Sequence, residues 1–235
     1  RRILPALLFV MLVSLPFAWI YLLPGSFIDF SKSILYSLSF SSNFYFHFSG
    51  QQYGAESGLL KPFLHTWSLS VEEQFYILFP LIFLFVFINF KKFLGKFIVL
   101  GIIISLVIAE ITSKNFISLN FYLIHARIWE LLAGSLIAYY EIFEKKNFKE
   151  NILNKFYPSI GLFLIIYSII FFDDTMRHPS LITLIPVLGT VMIVAFSNQN
   201  EIVNKLFSQK IFVQIGLISY SLYLWHYPVF AFSGI

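Results

Sequence analysis

Long apolar runs separated by short polar connections are the feature that most limits what this chain can fold into. Each run holds between about 16 and about 22 residues, close to the length at which a helix spans the hydrocarbon core of a bilayer. Lipid cannot satisfy backbone polar groups, so such runs are typical of membrane helices. We therefore predict an all-α, polytopic helical transmembrane bundle of about seven spans: residues 3–23, 70–90, 97–112, 128–143, 157–172, 181–196 and 211–232.

Composition agrees with a membrane protein. The chain is 58% hydrophobic and 12% charged, about half the charged fraction of an average soluble domain. It contains no cysteine, which excludes disulfides and thiolate metal sites, and no other spacing indicates a metal site. The net charge is +4, but the lysines lie in short clusters between apolar runs. We predict membrane lipid as a partner and no nucleic acid.

Charge also predicts how the chain is threaded. Residues 30–48 are apolar but rich in serine, and their crossing would invert every later connection. If they do not cross, the cytoplasmic side holds eleven of the sixteen basic residues, namely Arg1, Arg2, Lys91, Lys92, Lys96, Lys145, Lys146, Lys149, Lys155, Lys205 and Lys210. If they cross, it holds only six: Arg1, Arg2, Lys61, Lys114, Arg127 and Arg177.

The positive-inside rule favours the first arrangement. Residues 30–48 are then a re-entrant or interfacial segment within an outer loop, roughly residues 24–66. Loop 144–155 is predicted to be cytoplasmic and loop 51–61 periplasmic. The predicted location is the bacterial inner (cytoplasmic) membrane, crossed several times.

Ionisable and polar side chains interrupt three of the predicted spans. They are Glu72, Glu73, Arg127, Glu130 and His226. A charge at membrane depth costs several kcal/mol unless it is paired or hydrated, so such residues are candidates for function. All five fall in the outer half of the predicted membrane, which suggests one active cavity.

Four blocks of sequence stand out as motifs. They are residues 65–76 (HTWSLSVEEQFY) with Pro80 behind them, residues 127–134 (RIWELLAG), residues 218–228 (ISYSLYLWHYP) and residues 1–5 (RRILP). Together they resemble the membrane-bound acyltransferase family 3, especially its O-antigen and cell-surface polysaccharide O-acetylase branch. The first block resembles the family's most characteristic motif, the second its middle motif, the third its late motif and the fourth the end of its basic cytoplasmic loop.

The resemblance implies an integral-membrane O-acyltransferase. It would move an acyl group, usually acetyl, from acyl-coenzyme A to a hydroxyl of a cell-envelope polysaccharide or lipopolysaccharide. The acyl-coenzyme A is a donor substrate, and no tightly bound cofactor is expected.

The resemblance also implies that residues 1–235 are a single but incomplete domain. The family's catalytic histidine belongs to a span before Arg1, so we expect this fragment by itself to be inactive. A closing span and a fused periplasmic esterase-like domain are expected in the parent protein.

Site roles follow from the same resemblance and from acyl-transfer chemistry, which needs a base and a stabilised oxyanion. The expected catalytic residues are Glu72, Glu73 and His226. Glu72 would orient a base or bind sugar, whereas Glu73 suits a helix-capping box with Ser70 as N-cap. The alternative for both carboxylates is a purely structural place at a helix start.

The remaining site residues are expected to bind substrates. Coenzyme A phosphates would be gripped by Arg1 and Arg2, whose alternative role is simple anchoring on the cytoplasmic side. The glycan-binding candidates are His65, Trp67, Tyr76, Arg127, Glu130 and Trp225. Each candidate also has a structural alternative. Arg127 and Glu130 could be an ion pair that only stabilises packing, the tryptophans could only mark the membrane interface, and the histidines could be core residues.

Two other functions stay open from the sequence. Buried carboxylates and Arg127 could form an ion relay in a transporter or flippase, although no inverted repeat is visible. A non-catalytic sensor of glycans or acyl donors would use the same residues for binding only.

Overall fold

The computed structural model describes residues 3–49, 61–145, 148, 155–173, 175–199 and 201–234. These residues form helices and no strand, so the all-α prediction is confirmed for them. The eleven α-helices among them are α1 (Ile3–Tyr21), α2 (Pro24–Leu38), α3 (Ser42–Phe48), α4 (Thr66–Phe90), α5 (Leu94–Asn115), α6 (Ile117–Tyr122), α7 (Ile128–Ile142), α8 (Tyr157–Phe171), α9 (Leu184–Phe196), α10 (Ile202–Phe207) and α11 (Lys210–Ser233).

Every predicted apolar run forms a helix, with ends displaced by a few residues. Ile3–Tyr21 and the helical run Thr66–Asn115 are long and apolar enough to cross a membrane, while Tyr157–Phe171 and Leu181–Phe196 are shorter. Large apolar side chains on α8 point outward, as Ile169 is 75% exposed. Such a surface suits lipid better than water. The number of spans stays a prediction.

The fold divides into two compact units. The first consists of Arg1–Ile77 and Gln214–Ile235, and the second of Leu78–Val213. Helices α4 and α11 therefore contribute residues to both. Each unit has its own buried residues and is described by itself.

The core of the first unit is built around α1. Leu7, Val10, Met11 and Ala18 recur at helical spacing and are buried on one face of this helix. They belong to one apolar cluster with residues from the rest of the unit, namely Phe30, Phe63, Leu69 and Leu224. Packing on one face lets α1 keep an apolar outer face as well.

The serine-rich segment 30–48 is broken into two helices. Helix α2 starts with Pro24 at its first turn, where a missing N–H costs nothing. The chain then turns at Phe40, whose φ of 50° is left-handed, and resumes as α3. The 15 residues of α2 rise only about 22 Å, and α3 is shorter still. The re-entrant or interfacial placement of segment 30–48 stays a prediction.

Hydroxyl groups join α2, α3 and α4 along a buried seam. The Ser37 and Thr66 hydroxyl oxygens are 2.6 Å apart, Thr66 donates to Ser42 at 3.1 Å, and the Ser42 and Ser70 oxygens are 2.8 Å apart. Asn43 and Gln74 exchange amide hydrogen bonds beside them. Small hydroxyl side chains of this kind let helices approach closely and satisfy each other within an apolar unit.

The predicted capping box of Ser70 and Glu73 is wrong. Helix α4 begins at Thr66 and not at Ser70, because a hydrogen-bonded turn from Phe63 already starts it: Thr66 N–H donates to the Phe63 carbonyl at 3.1 Å. The Ser70 hydroxyl lies inside the helix and contacts Ser42 instead. Glu73 is therefore not a capping residue.

In the second unit, glycines allow close helix packing. A Cβ on Gly161 of α8 would lie 2.5 Å from the Gly189 carbonyl oxygen of α9, and one on Gly189 would lie 2.6 Å from the Gly161 oxygen. The two backbones thus touch directly, as small residues permit in membrane helices. Between α5 and α7 the contact is of another kind, with Gly95 against the side-chain ring of Tyr139.

Candidate functional site

Two histidines from distant motifs meet in the first unit. His65 immediately precedes α4, and His226 lies near the end of α11. Their ring centroids are 5.3 Å apart. The His65 ring also stacks on Tyr227 at 5.4 Å and meets the edge of Tyr223 at 5.1 Å. The structure therefore brings together two of the site residues expected from sequence.

One hydrogen bond fixes the protonation pattern of His226. Its Nδ1 lies 2.6 Å from the backbone carbonyl oxygen of Tyr223, three residues earlier on α11. A carbonyl oxygen only accepts, so Nδ1 carries the hydrogen and Nε2 holds the free lone pair of the neutral ring. His226 therefore presents a basic nitrogen that can take up a proton.

His65 is buried and its ring is not anchored by hydrogen bonds. It is 2% exposed, and neither ring nitrogen makes a well-formed hydrogen bond to another described residue. Burial lowers the pKa of His65 to about 3, and the neighbouring His226 lowers it further, although the Pro62 carbonyl weakly favours the protonated ring. Neutral imidazole still has one donor and one acceptor. In the described structure both ring nitrogens are buried, and neither has a well-formed partner.

Tyr223 and Ser68 complete the histidine site, and the sequence did not single them out. Tyr223 donates its hydroxyl hydrogen to the backbone carbonyl of His65 at 2.6 Å. Ser68 lies 2.7 Å from the same tyrosine oxygen and so donates to it. This chain of bonds fixes the loop that carries His65 onto α11. The available signal was helical spacing, since Tyr223 shares a helix face with His226.

The carboxylates of α4 lie on its first turns. Glu72 is exposed, Glu73 is half-buried, and neither has a hydrogen bond or ion pair with another described residue. The Tyr220 hydroxyl on α11 lies within electrostatic range of both. Tyr76 is exposed one turn further along. Their catalytic and binding roles stay predictions.

The tryptophans of the two motifs are placed differently. Trp67 is buried, whereas Trp225 is half-buried and packs edge-on against Phe9 with ring centroids 6.2 Å apart. Neither is a flat exposed platform for a sugar. Arg1 and Arg2, the expected coenzyme A residues, lie outside the described residues.

Arg127 and Glu130 belong to the second unit and pair with each other. The guanidinium Nη1 is 3.8 Å from Oε1 of Glu130, which confirms the pairing predicted from their spacing. The Arg127 Nε also donates to the Phe121 carbonyl at 2.7 Å, and its guanidinium lies 4.8 Å from the centre of the Phe121 ring. These contacts fix the residues before α7. Binding of a glycan by this pair stays a prediction.

No three His, Asp or Glu side chains come together to hold a metal ion within the described ranges. The histidine site offers a nitrogen suited to proton transfer, because Nε2 of His226 is not committed by the hydrogen bond that Nδ1 makes.

Comparison with known proteins assigns the chain to a family. Residues 1–234 match the family model described as an acyltransferase domain, the acyltransferase family 3. The chain belongs to this family. Proteins of the family are membrane proteins, in agreement with the long apolar helices.

Two Staphylococcus aureus proteins illustrate the similarity. The O-acetyltransferase OatA of strain NCTC 8325 is 30% identical over 248 residues, which cover 99% of this chain. SACOL0978 of strain COL is 32% identical over 242 residues, again 99% of the chain. The chain spans 40% of the length of each relative. No solved structure matches it significantly.

Proposed function

We propose that the protein to which this chain belongs is a multi-pass O-acetyltransferase of the bacterial inner membrane. It takes the acetyl group of acetyl-coenzyme A and transfers it to a hydroxyl of a cell-envelope polysaccharide. Membership of the acyltransferase family and relatives named as O-acetyltransferases support this function over a transporter or a sensor.

The observation that carries the proposal is the meeting of His65 and His226. In acetyl transfer the hydroxyl oxygen attacks the thioester carbonyl carbon, a C–O bond forms, and the C–S bond breaks. The hydroxyl must lose its proton as it attacks, and the departing coenzyme A thiolate gains one. Nε2 of His226 is the described nitrogen suited to take up that proton, because Nδ1 is already committed to the Tyr223 carbonyl.

Other residues have supporting roles in this proposal. The Tyr223 and Ser68 hydroxyls hold the loop of His65 against α11. Buried His65 donates or accepts a hydrogen bond at the reacting oxygen while it remains neutral. Glu72 would orient a base or bind the sugar, and Arg1 and Arg2 would bind the phosphates of the donor.

The test uses the full-length parent gene and mass spectrometry of ester-linked acetate on envelope glycans. His226→Asn places an amide nitrogen where Nδ1 was, so it keeps the bond to Tyr223 but removes Nε2. We expect at least a hundredfold loss of acetylation, the range typical of general acid–base groups. His47→Asn, a change on α3, serves as the matched control and should retain acetylation.

Two outcomes would contradict the proposal. Glycan acetylation that is equal with and without the intact gene would exclude the transferase and favour a transporter or sensor. Full acetylation by His226→Asn, at wild-type membrane levels, would remove His226 from proton transfer.

A further inference from the structure

The first unit contains a cavity that the histidine site does not use. Its volume is about 360 Å³, within the range of small-ligand sites. It lies between the end of α1, the helices α2 and α3, and the residues just before α4. Its aromatic wall includes Tyr21 and Phe46, and its charged residues are Asp29 and Lys61.

The two charged residues of the cavity are not joined tightly. Lys61 Nζ and a carboxylate oxygen of Asp29 are 4.0 Å apart, longer than a hydrogen bond. The Lys61 side chain is 24% exposed and that of Asp29 is 50% exposed. Both retain hydrogen-bonding capacity for a ligand of the cavity: up to three donors on Lys61 and further acceptor lone pairs on Asp29.

Tyr45 adds a neutral hydroxyl. Its oxygen lies 3.4 Å from the Asp29 backbone carbonyl, a long hydrogen bond, and its ring stacks on Tyr36 with centroids 4.8 Å apart. Burial, together with the negative charge of Asp29, raises the pKa of Tyr45 to about 12. Tyr45 therefore stays protonated at physiological pH, and its one hydroxyl hydrogen can turn from the long bond with Asp29 to a ligand oxygen.

The charge of this cavity discriminates between ligand classes. One carboxylate and one ammonium group cancel, so the charged side chains that line it attract neither phosphates nor cations strongly. Coenzyme A, with its several phosphates, needs clustered basic groups. A neutral ligand that carries many hydroxyls can use the donor and acceptor groups at once, and its apolar ring face can lie on the aromatic wall.

We propose that the cavity of Asp29, Tyr45 and Lys61 binds a neutral sugar unit of the acceptor polysaccharide. Asp29 accepts hydrogen bonds from sugar hydroxyls, and Lys61 and Tyr45 donate to sugar oxygens. The charge-based topology places residues 24–66 outside the cytoplasm, on the side where envelope glycans lie. This proposal rests on the proposed function, because the sugar is an acceptor only if the protein transfers acetyl groups.

Direct binding tests the cavity without requiring catalysis. The purified full-length protein in nanodiscs is titrated with neutral oligosaccharides released from the source organism's envelope, and saturation-transfer NMR detects bound sugar. We expect Asp29→Asn and Tyr45→Phe each to weaken binding about tenfold. Tyr45→Phe removes a single oxygen, so it remains informative if Asp29→Asn folds poorly.

Matched controls lie away from the cavity. Asp173→Asn and Lys114→Met change exposed charges in the second unit and should leave sugar binding unchanged. Equal affinity of Asp29→Asn, Tyr45→Phe and the wild type would overturn the proposed site. Absence of saturable binding to wild-type protein would overturn it too.

A kinetic readout separates this site from the proposed function. If wild-type protein transfers acetyl groups, Asp29→Asn should raise the KM for the oligosaccharide about tenfold more than it raises the KM for acetyl-coenzyme A. Transfer with an unchanged oligosaccharide KM contradicts the site but leaves the function standing. Sugar binding that depends on Asp29 in a protein without transfer activity contradicts the function but supports the cavity.

Discussion

At His65, complete burial of an ionisable ring couples the fold to pH. In the unfolded chain a histidine binds a proton with a pKa of about 6.5. In the folded chain burial lowers the pKa of His65 to about 3. Between these values the unfolded state binds the proton and the folded state does not, so this contribution to stability is complete above about pH 6.5 and is lost as the pH falls toward 3.

This predicts that the apparent Tm of the purified protein falls between pH 7.5 and pH 4.5, and that His65→Gln makes the fall shallower. Glutamine keeps a donor and an acceptor but does not titrate. Differential scanning fluorimetry in detergent measures both slopes, with His47→Gln as a control that should resemble the wild type. An unchanged slope in His65→Gln would mean that this ring takes up its proton as easily folded as unfolded.

Among the helices, sequence predicted type better than ends or partners. The apolar runs identified the helices because lipid excludes other backbone structures. The start of α4 at Thr66 was missed, since Ser70 resembles an N-cap and only its contact with Ser42 of α3 shows otherwise. Such tertiary contacts leave no local pattern in the sequence.

The close crossing of α8 and α9 gives a prediction for these elements. Gly161→Ala should lower the apparent Tm by several degrees, because its new Cβ would collide with the Gly189 carbonyl oxygen. Gly134→Ala is the matched control: it lies within helix α7, and a Cβ there meets nothing within 4 Å. Alanine should leave stability equal or higher there, as it favours helix over glycine by about 1 kcal/mol. Equal apparent Tm values for the two variants would argue against the close contact of α8 with α9.

At the scale of the whole molecule, sequence located the motifs but not the groups they form. His65 and His226 were both expected site residues, yet their approach depends on how α11 packs beside the start of α4. The cavity residues Asp29, Tyr45 and Lys61 were missed, because they come from separate elements and none belongs to a recognisable motif.

Threading of the chain through the membrane is testable because the sequence contains no cysteine. Single cysteines at Asn147 and Gln52, both outside the described residues, should react with a membrane-impermeant maleimide from opposite sides. The expected result is cytoplasmic labelling at 147 and periplasmic labelling at 52, from the charge distribution. The reversed result, with labelling of 52 from the cytoplasm and of 147 from outside, would mean that residues 30–48 cross and would remove the topological support for the sugar cavity.

The touching glycines of α8 and α9 also limit how the second unit can move. Where two backbones meet with no side chain between them, a turn of either helix about its axis would bring larger side chains into the contact and push the helices apart. The contact between Gly161 and Gly189 thus holds α8 and α9 together as one pair. A rearrangement of the second unit would therefore carry α8 and α9 together, and bending would occur in the connections on either side.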